Sequence, residues 1–176
     1  MAVADDWELW FADAYEIGAE TVRSFARATR SWDVPYAASR LLPDDVAVPA
    51  TLLGAPMLQG ASAVVGRAIP NCNLAAIMHA GQTFRYLRPL HVGDVLSLGV
   101  RLTSHIVKAE TDLLVVECMV YAHGEPSLDA EIFLVHSQRE TGIDLEAADR
   151  LADEVMMTGT GPSHSTAYAE NVASSM

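Results

Sequence analysis

Among the residues able to do chemistry, Asp33 stands out first. It sits in ATRSWDVPYA, residues 28–37, between Trp32 and the Val34-Pro35 pair. A carboxylate framed by large apolar side chains suits a general acid or base, because desolvation moves its pKa toward the working range. The same placement also suits a plain helix-end residue with bulky neighbours, and local reading leaves both open. The histidines are His79, His91, His105, His123, His136 and His164, and none has a close His or Cys partner at ligand spacing. No metal site is therefore expected, and nothing in the chain asks for a cofactor. Cys72 and Cys118 form neither a CxxC pair nor a disulfide framework, so both read as packing residues in a reducing compartment. Arg85 and Arg88, with His91 close by, either meet phosphate groups of a ligand or form a solvated strand edge.

These residues need elements to position them. In IGAETVRSFARATR, residues 17–30, Ile17, Val22, Phe25, Ala26 and Thr29 share one side at helical spacing, and Trp32 and Pro35 are expected to stop the helix. Residues 31–53 show no sustained period and contain Pro43 and Pro49, which predicts a long irregular connection of the kind that carries function. The stretch LLGAPMLQGASAVVGRAIP, residues 52–70, predicts an almost all-round apolar helix with Pro56 in its first position, a helix that belongs in the middle of a core. Gly60 and Gly66 suit close packing on a sheet or contact with a ligand. Gly54, at the helix start, has free N–H groups able to bind an oxygen.

Beyond residue 74 the period changes to two. HAGQTFRYLRPL, DVLSLGVRLTSHIV, TDLLVVECMVYAHG and PSLDAEIFLVHSQ predict four strands joined by short turns at Gly93-Asp94, Lys108–Asp112 and Gly124–Pro126. The run Leu114-Val115-Val116 suggests a strand covered on both faces. The chain thus divides into one domain over 1–142 and an acidic segment over 143–176. That segment opens with a short helix-like piece, DLEAADRLADEVMM, and ends in a stretch of small polar residues.

Composition narrows the partners. With 11 basic and 23 acidic side chains the net charge is −12, which repels nucleic acid and anionic lipid surfaces. No apolar run approaches the roughly 20 residues a membrane-spanning helix needs. The opening residues MAVADDWELW carry acids where a secretory signal carries Lys or Arg, so a cytoplasmic location is expected.

The stretch IMHAGQTFRYLRPLHVGDVLSL, residues 77–98, together with VPATLLG at 48–54 and YEIGAETVRSFARATRS at the front, resembles a known family. It is similar to the MaoC-like (R)-enoyl hydratases and 3-hydroxyacyl dehydratases, especially their N-terminal, FAS1-like dehydratase branch. The resemblance covers roughly residues 14–138. It implies an α+β single hotdog fold, in which an antiparallel sheet wraps around a central apolar helix. It also implies a site for acyl thioesters of coenzyme A or acyl carrier protein, as used in fatty acid metabolism, often at a dimer interface. On this reading Trp32 and Tyr36 close the tunnel mouth, and Leu53, Gly54, Met57 and Gln82 form the acyl pocket and the thioester contacts.

Active members of that family carry Gly-Asp-x-Asn-Pro-aliphatic-His after the first helix. Laying Pro35 on the motif proline puts Ser31 at the glycine, Trp32 at the aspartate and Ala37 at the histidine, so both catalytic positions are lost. Three readings follow. The register slips by one and Asp33 is the family aspartate, but no histidine follows it. Alternatively, the chain is the non-catalytic, substrate-binding half of a heterodimer whose companion hotdog subunit supplies Asp and His, or one half of a homodimer. In the third, the chain is an acyl-CoA thioesterase with Asp33 as base. His79 is a weaker catalytic candidate, and a non-enzymatic assembly scaffold remains as a further class.

Overall fold

A computed structural model describes residues 7–31, 46–70 and 72–138. In chain order these form β1 (Leu9–Glu16), α1 (Ala19–Ala28), α2 (Gly54–Ala68), a single 3-10 turn (Leu74–Ala76), β2 (Ile77–Tyr86), β3 (Val95–Lys108), β4 (Thr111–Ala122) and β5 (Glu125–Ser137). The five strands make one antiparallel sheet in the order β1-β3-β4-β5-β2.

The alternation of side chains decides which face of the sheet takes the helix. In β4, Asp112, Leu114, Val116, Cys118, Val120 and Ala122 are all buried, whereas the intervening residues point the other way and are partly or well exposed. Across the ladder they align with Leu134, Ile132, Ala130 and Leu128 of β5 and with Val100 and Leu96 of β3. The apolar side of α2, through Met57, Ala61, Val64 and Val65, fills the trough above them. Each such side chain taken out of water stabilises the fold by roughly 1.5–3 kcal/mol.

Gly60 sets how closely the helix sits. A Cβ there would lie 2.8 Å from Leu98 Cδ2 and 3.3 Å from Val100 Cγ2, so only glycine lets α2 rest at this depth. Gly66 behaves differently, since it is exposed and has only Leu74 within reach, at 3.9 Å. It takes no part in packing on the sheet. Pro56 falls in the third position of α2 rather than the first, still within the first turn, where its missing N–H costs little.

Three further features depart from the sequence reading. β1 was not anticipated, because its alternation breaks at Asp13, whose φ of 47° produces a register shift between Phe11 and Tyr15. Helix α1 stops at Ala28, before Trp32 and Pro35 come into play. Arg30 takes a left-handed φ of 54°, and the Arg30 and Ser31 N–H groups bond back to Arg27 and Ala26, a helix-ending motif normally given to glycine. Lastly, among the described residues β4 is covered on one face only: Leu113 on the other face is 39% exposed and Val115 is half-buried.

Replacing Gly60 with valine forces side chain into Leu98 and Val100. The expected loss is roughly 1–3 kcal/mol, the usual cost of overpacking, read as a lower urea midpoint. The matching Gly66→Val change, on an open surface, should leave that midpoint within roughly 1 kcal/mol of the parent.

Candidate functional site

The edge strand β2 borders the start of α2. Its register places Ile77, His79, Gln82, Phe84 and Tyr86 opposite His136, Leu134, Ile132, Ala130 and Leu128, on the helix-bearing side of the sheet. A bulge between His79 and Gly81 resets the alternation, which is why residues 79 and 82, three apart, share a face. The segment leading into α2 is tied to this strand: the Tyr86 hydroxyl donates to the Ala50 carbonyl at 2.8 Å, Val48 N–H donates to Leu90 O at 2.9 Å, and Ala47 bridges His91. The N-terminus of α2 is thereby held against β2.

That N-terminus carries no side-chain cap and no acidic residue in its first turn, so the positive end of the helix dipole is not neutralised by its own sequence. Gln82 lies directly over it. Its Oε1 is 3.7 Å from where a Gly54 Cβ would stand, and Phe84 Cζ is 3.8 Å from the same point. Among the described residues the buried Nε2 of Gln82 has no hydrogen-bond partner. A buried donor left unpaired costs about 1–3 kcal/mol, and such an atom is most economically explained by an acceptor that arrives from outside. Separately, a groove of about 340 Å³ runs between Ala47–Ala50 and Tyr86–Leu90, with a mostly apolar lining that includes neither Gln82 nor Gly54.

The sequence candidates distribute unevenly over this geometry. Gly54 and Gln82 meet. Leu53 and Met57 are each 1% exposed and belong to the main core. His79 lies on the same side of β2 but is exposed and two residues short of Gln82 across the bulge. Trp32, Asp33 and Tyr36 lie outside the described residues. Phe84, which lines the site, was missed, although its i+2 spacing from Gln82 on a strand was the available signal.

Both arginines of the basic stretch are paired along the strand edge. Arg85 is engaged by Asp129, with Nε 3.0 Å from Oδ2. Arg88 donates to Ser127 Oγ at 2.6 Å, to Glu125 Oε2 at 3.1 Å and to the Ala122 carbonyl. Both guanidinium groups therefore hold the sheet together. The R-P-L-x-x-G-D element closes with Gly93 at φ 90° and with Asp94, whose carboxylate accepts from His91 N–H and from His123 Nε2, both at 2.9 Å. Burial pushes the Asp94 pKa upward, but these two donors outweigh it and hold the acid below its ordinary value.

A second polar cluster lies at the opposite end of the sheet. Asp112 is 0% exposed and receives His105 Nε2, His136 Nδ1 and Gln138 Nε2, each at 2.8 Å. His136 Nε2 accepts the Asn73 N–H at 3.3 Å, which leaves Nδ1 to donate to Asp112. Desolvation raises the Asp112 pKa, and the hydrogen bonds from His105, His136 and Gln138 more than reverse it, leaving the acid below its ordinary value. Both carboxylate oxygens of Asp112 are thus engaged. Among the described residues no group of three His, Cys, Asp or Glu side chains could hold a metal ion. This is a structural clamp joining the ends of β3, β4 and β5 to the chain leaving α2. Cys118 is sealed in the core, where burial pushes its thiol up to about 12, and the two cysteines are unpaired.

An apolar helix seated on one face of a five-stranded antiparallel sheet, with the strand order seen here, defines a hotdog-fold protein. Solved structures with the same fold include the C-terminally truncated HadBC (3R-hydroxyacyl-ACP dehydratase) complex of Mycobacterium tuberculosis. It is 22% identical with a TM-score of 0.56, covering 72% of this chain and 94% of that one. A MaoC-like dehydratase matches at 23% identity and TM-score 0.64, over 80% of this chain and 46% of that longer one. The family model of the FAS1-like dehydratase domain region matches residues 8–129, and the chain belongs to that family. Relatives include a UPF0336 protein of Streptomyces avermitilis, 31% identical over 74% of this chain and 90% of its own. Another, from Saccharopolyspora erythraea, is 30% identical over 77% and 89%. No helix among the described residues is long and apolar enough to cross a membrane.

The clamp makes a pH-resolved prediction. Because the native Asp112 pKa lies below its unfolded value of about 3.9, the stabilisation is complete above that value and is lost as pH falls through the native one. Asp112→Asn should lower unfolding free energy at pH 7 by about 1.5–3 kcal/mol, the scale of hydrogen bonds to a charged group. Urea titrations of both proteins should show the gap closing only as the pH drops below about 4.

Proposed function

We propose that this chain binds acyl thioesters, carried on coenzyme A or acyl carrier protein, as the substrate-holding subunit of a (3R)-hydroxyacyl dehydratase or 2-enoyl hydratase. The observation that carries the reading is the buried Gln82 side chain beside the uncapped start of α2, its Oε1 toward Gly54 and its Nε2 without a partner among the described residues. In such a reaction water adds across the 2-enoyl double bond, hydroxyl at C3 and proton at C2, or leaves by the reverse path. Negative charge builds on the thioester oxygen in between. A neutral amide donor together with a helix N-terminus stabilises that oxygen without itself exchanging a proton. The groove between Ala47–Ala50 and Tyr86–Leu90 offers an apolar approach for the carrier arm, and Met57 forms the adaptable floor.

The acid and base come from elsewhere. Trp32 and Ala37 stand where the family motif has its Asp and His, and His79 has no carboxylate beside it in the described residues. The outer edge of β2 carries no strand among the described residues, so a second hotdog subunit joined there would face Gln82 and His79 with its own side chains. The HadBC neighbour is itself a complex, which favours a companion of the same fold.

The purified chain should bind a medium-chain enoyl-CoA yet leave its enoyl absorbance unchanged until a companion subunit with an intact Asp and His is added. Thiol release from saturated acyl-CoA by the chain alone would instead establish a thioesterase, and absence of any acyl-CoA binding would leave an assembly scaffold. Gln82→Leu removes the donor while keeping the volume. It should weaken binding about tenfold, the value of roughly one buried hydrogen bond, with the circular-dichroism spectrum unaltered. Unchanged affinity in this variant sinks the assignment of Gln82.

A further inference from the structure

On the face of the sheet turned away from α2, strand register sorts the side chains into rows that run across the strands. Toward the β3–β4 turn, Ile106, Leu113, Val135 and Met78 make one row, and Ser104, Val115, Phe133 and Gly81 make the next. A charged row follows with Arg101, Glu117, Glu131 and Thr83, and beyond it Trp10, Gly99, Met119, Asp129 and Arg85 share a fourth. Ile106 is 57% exposed and Met78 61%, and Leu113 and Phe133 are also open to solvent. Exposed apolar side chains in adjoining rows mark a surface that meets another protein.

We propose that this face binds the same face of a second copy of the chain, about a two-fold axis running along β4. β4 is the middle strand of the five, so this axis lays β3 over β5 of the second copy and β1 over its β2, row on row. The rows are complementary under that operation. Ile106 of one copy meets Val135 of the other, apolar on apolar. Ser104 is small where the opposing Phe133 is large. Arg101 meets Glu131, which is exposed and has no basic partner among the described residues, and Arg101 keeps its own Glu117 at 2.8 Å. Trp10 lies over Arg85, whose side chain is 73% exposed, pairing an aromatic ring with a guanidinium. Along the axis, Leu113, Val115, Met119 and Tyr121 meet their own counterparts, and the acid among them, Glu117, is already paired with Arg101.

Size and charge both suit this occupant. The five strands present roughly 20 outward residues, the number a stable interface uses on each side, and sheets stacked face to face sit about 10 Å apart. The face carries Arg85 and Arg101 against Glu117, Asp129 and Glu131, so only −1 of the chain's net charge of −12 lies on it. Exposed charges elsewhere are screened beyond about 8–10 Å at physiological salt. The contact leaves the outer edge of β2 open, so it coexists with a companion subunit joined there.

Sedimentation velocity on the full chain should show a dimer at about 10 μM, since interfaces of this size commonly hold at micromolar concentration or tighter. Glu131→Arg sets a guanidinium against Arg101 of the other copy and should raise the dissociation constant about tenfold or more. Adding Arg101→Glu to the same chain reverses both charges and should restore the dimer. Phe133→Asp should break the dimer independently of that pair, with the circular-dichroism signal of the sheet preserved in every variant. A monomer at that concentration overturns the proposal. A dimer that both Glu131→Arg and Phe133→Asp leave intact overturns it in favour of another surface, such as the β2 edge. A double variant that stays dissociated overturns the axis along β4.

Discussion

Everything in this molecule rests on how closely α2 approaches the sheet. Gly60 removes the one side chain that would hold the helix off Leu98 and Val100, and the resulting contact buries Met57, Ala61, Val64 and Val65 together. Because interiors are packed at near-crystalline density, a shift of even a methyl group at this contact displaces the helix start. The helix start is where Gly54 meets Gln82, so the packing of the core and the geometry of the site are one constraint.

A second set of bonds fixes the position of the segment before the helix. Arg88 ties the end of β2 to the β4–β5 turn, Asp94 closes the turn into β3, and Tyr86 anchors Ala50. The motif that resembles the dehydratases most strongly is therefore a fastening device. Its charged residues are consumed in structural bonds, and the one polar group it leaves unsatisfied is the Gln82 amide.

The two faces of the sheet have different histories in the chain. The core on the helix-bearing face is built from residues between positions 17 and 134. The opposite face carries ion pairs in its middle and apolar residues toward one end, where the described part of the chain stops.

Local periodicity alone determined the central apolar helix, the four strands from residue 77 onward and the turn at Gly93-Asp94, because each depends on neighbours a few positions apart. The resemblance of residues 77–98 determined the family, and with it the expectation of a thioester site near Gly54. Tertiary structure decided the rest. Asp112 meets His136 and Gln138 across 24 and 26 positions, and Arg85 meets Asp129 across 44. No local pattern encodes such partners, since strand register is set by the whole buried face. β1 escaped notice because one left-handed residue, Asp13, breaks its alternation, and Arg30 ends α1 with a conformation its residue type does not advertise. Gln82 was a candidate from the resemblance alone, but only the bulge before Gly81 turns it toward the helix and sets its side chain beside a glycine 28 positions earlier.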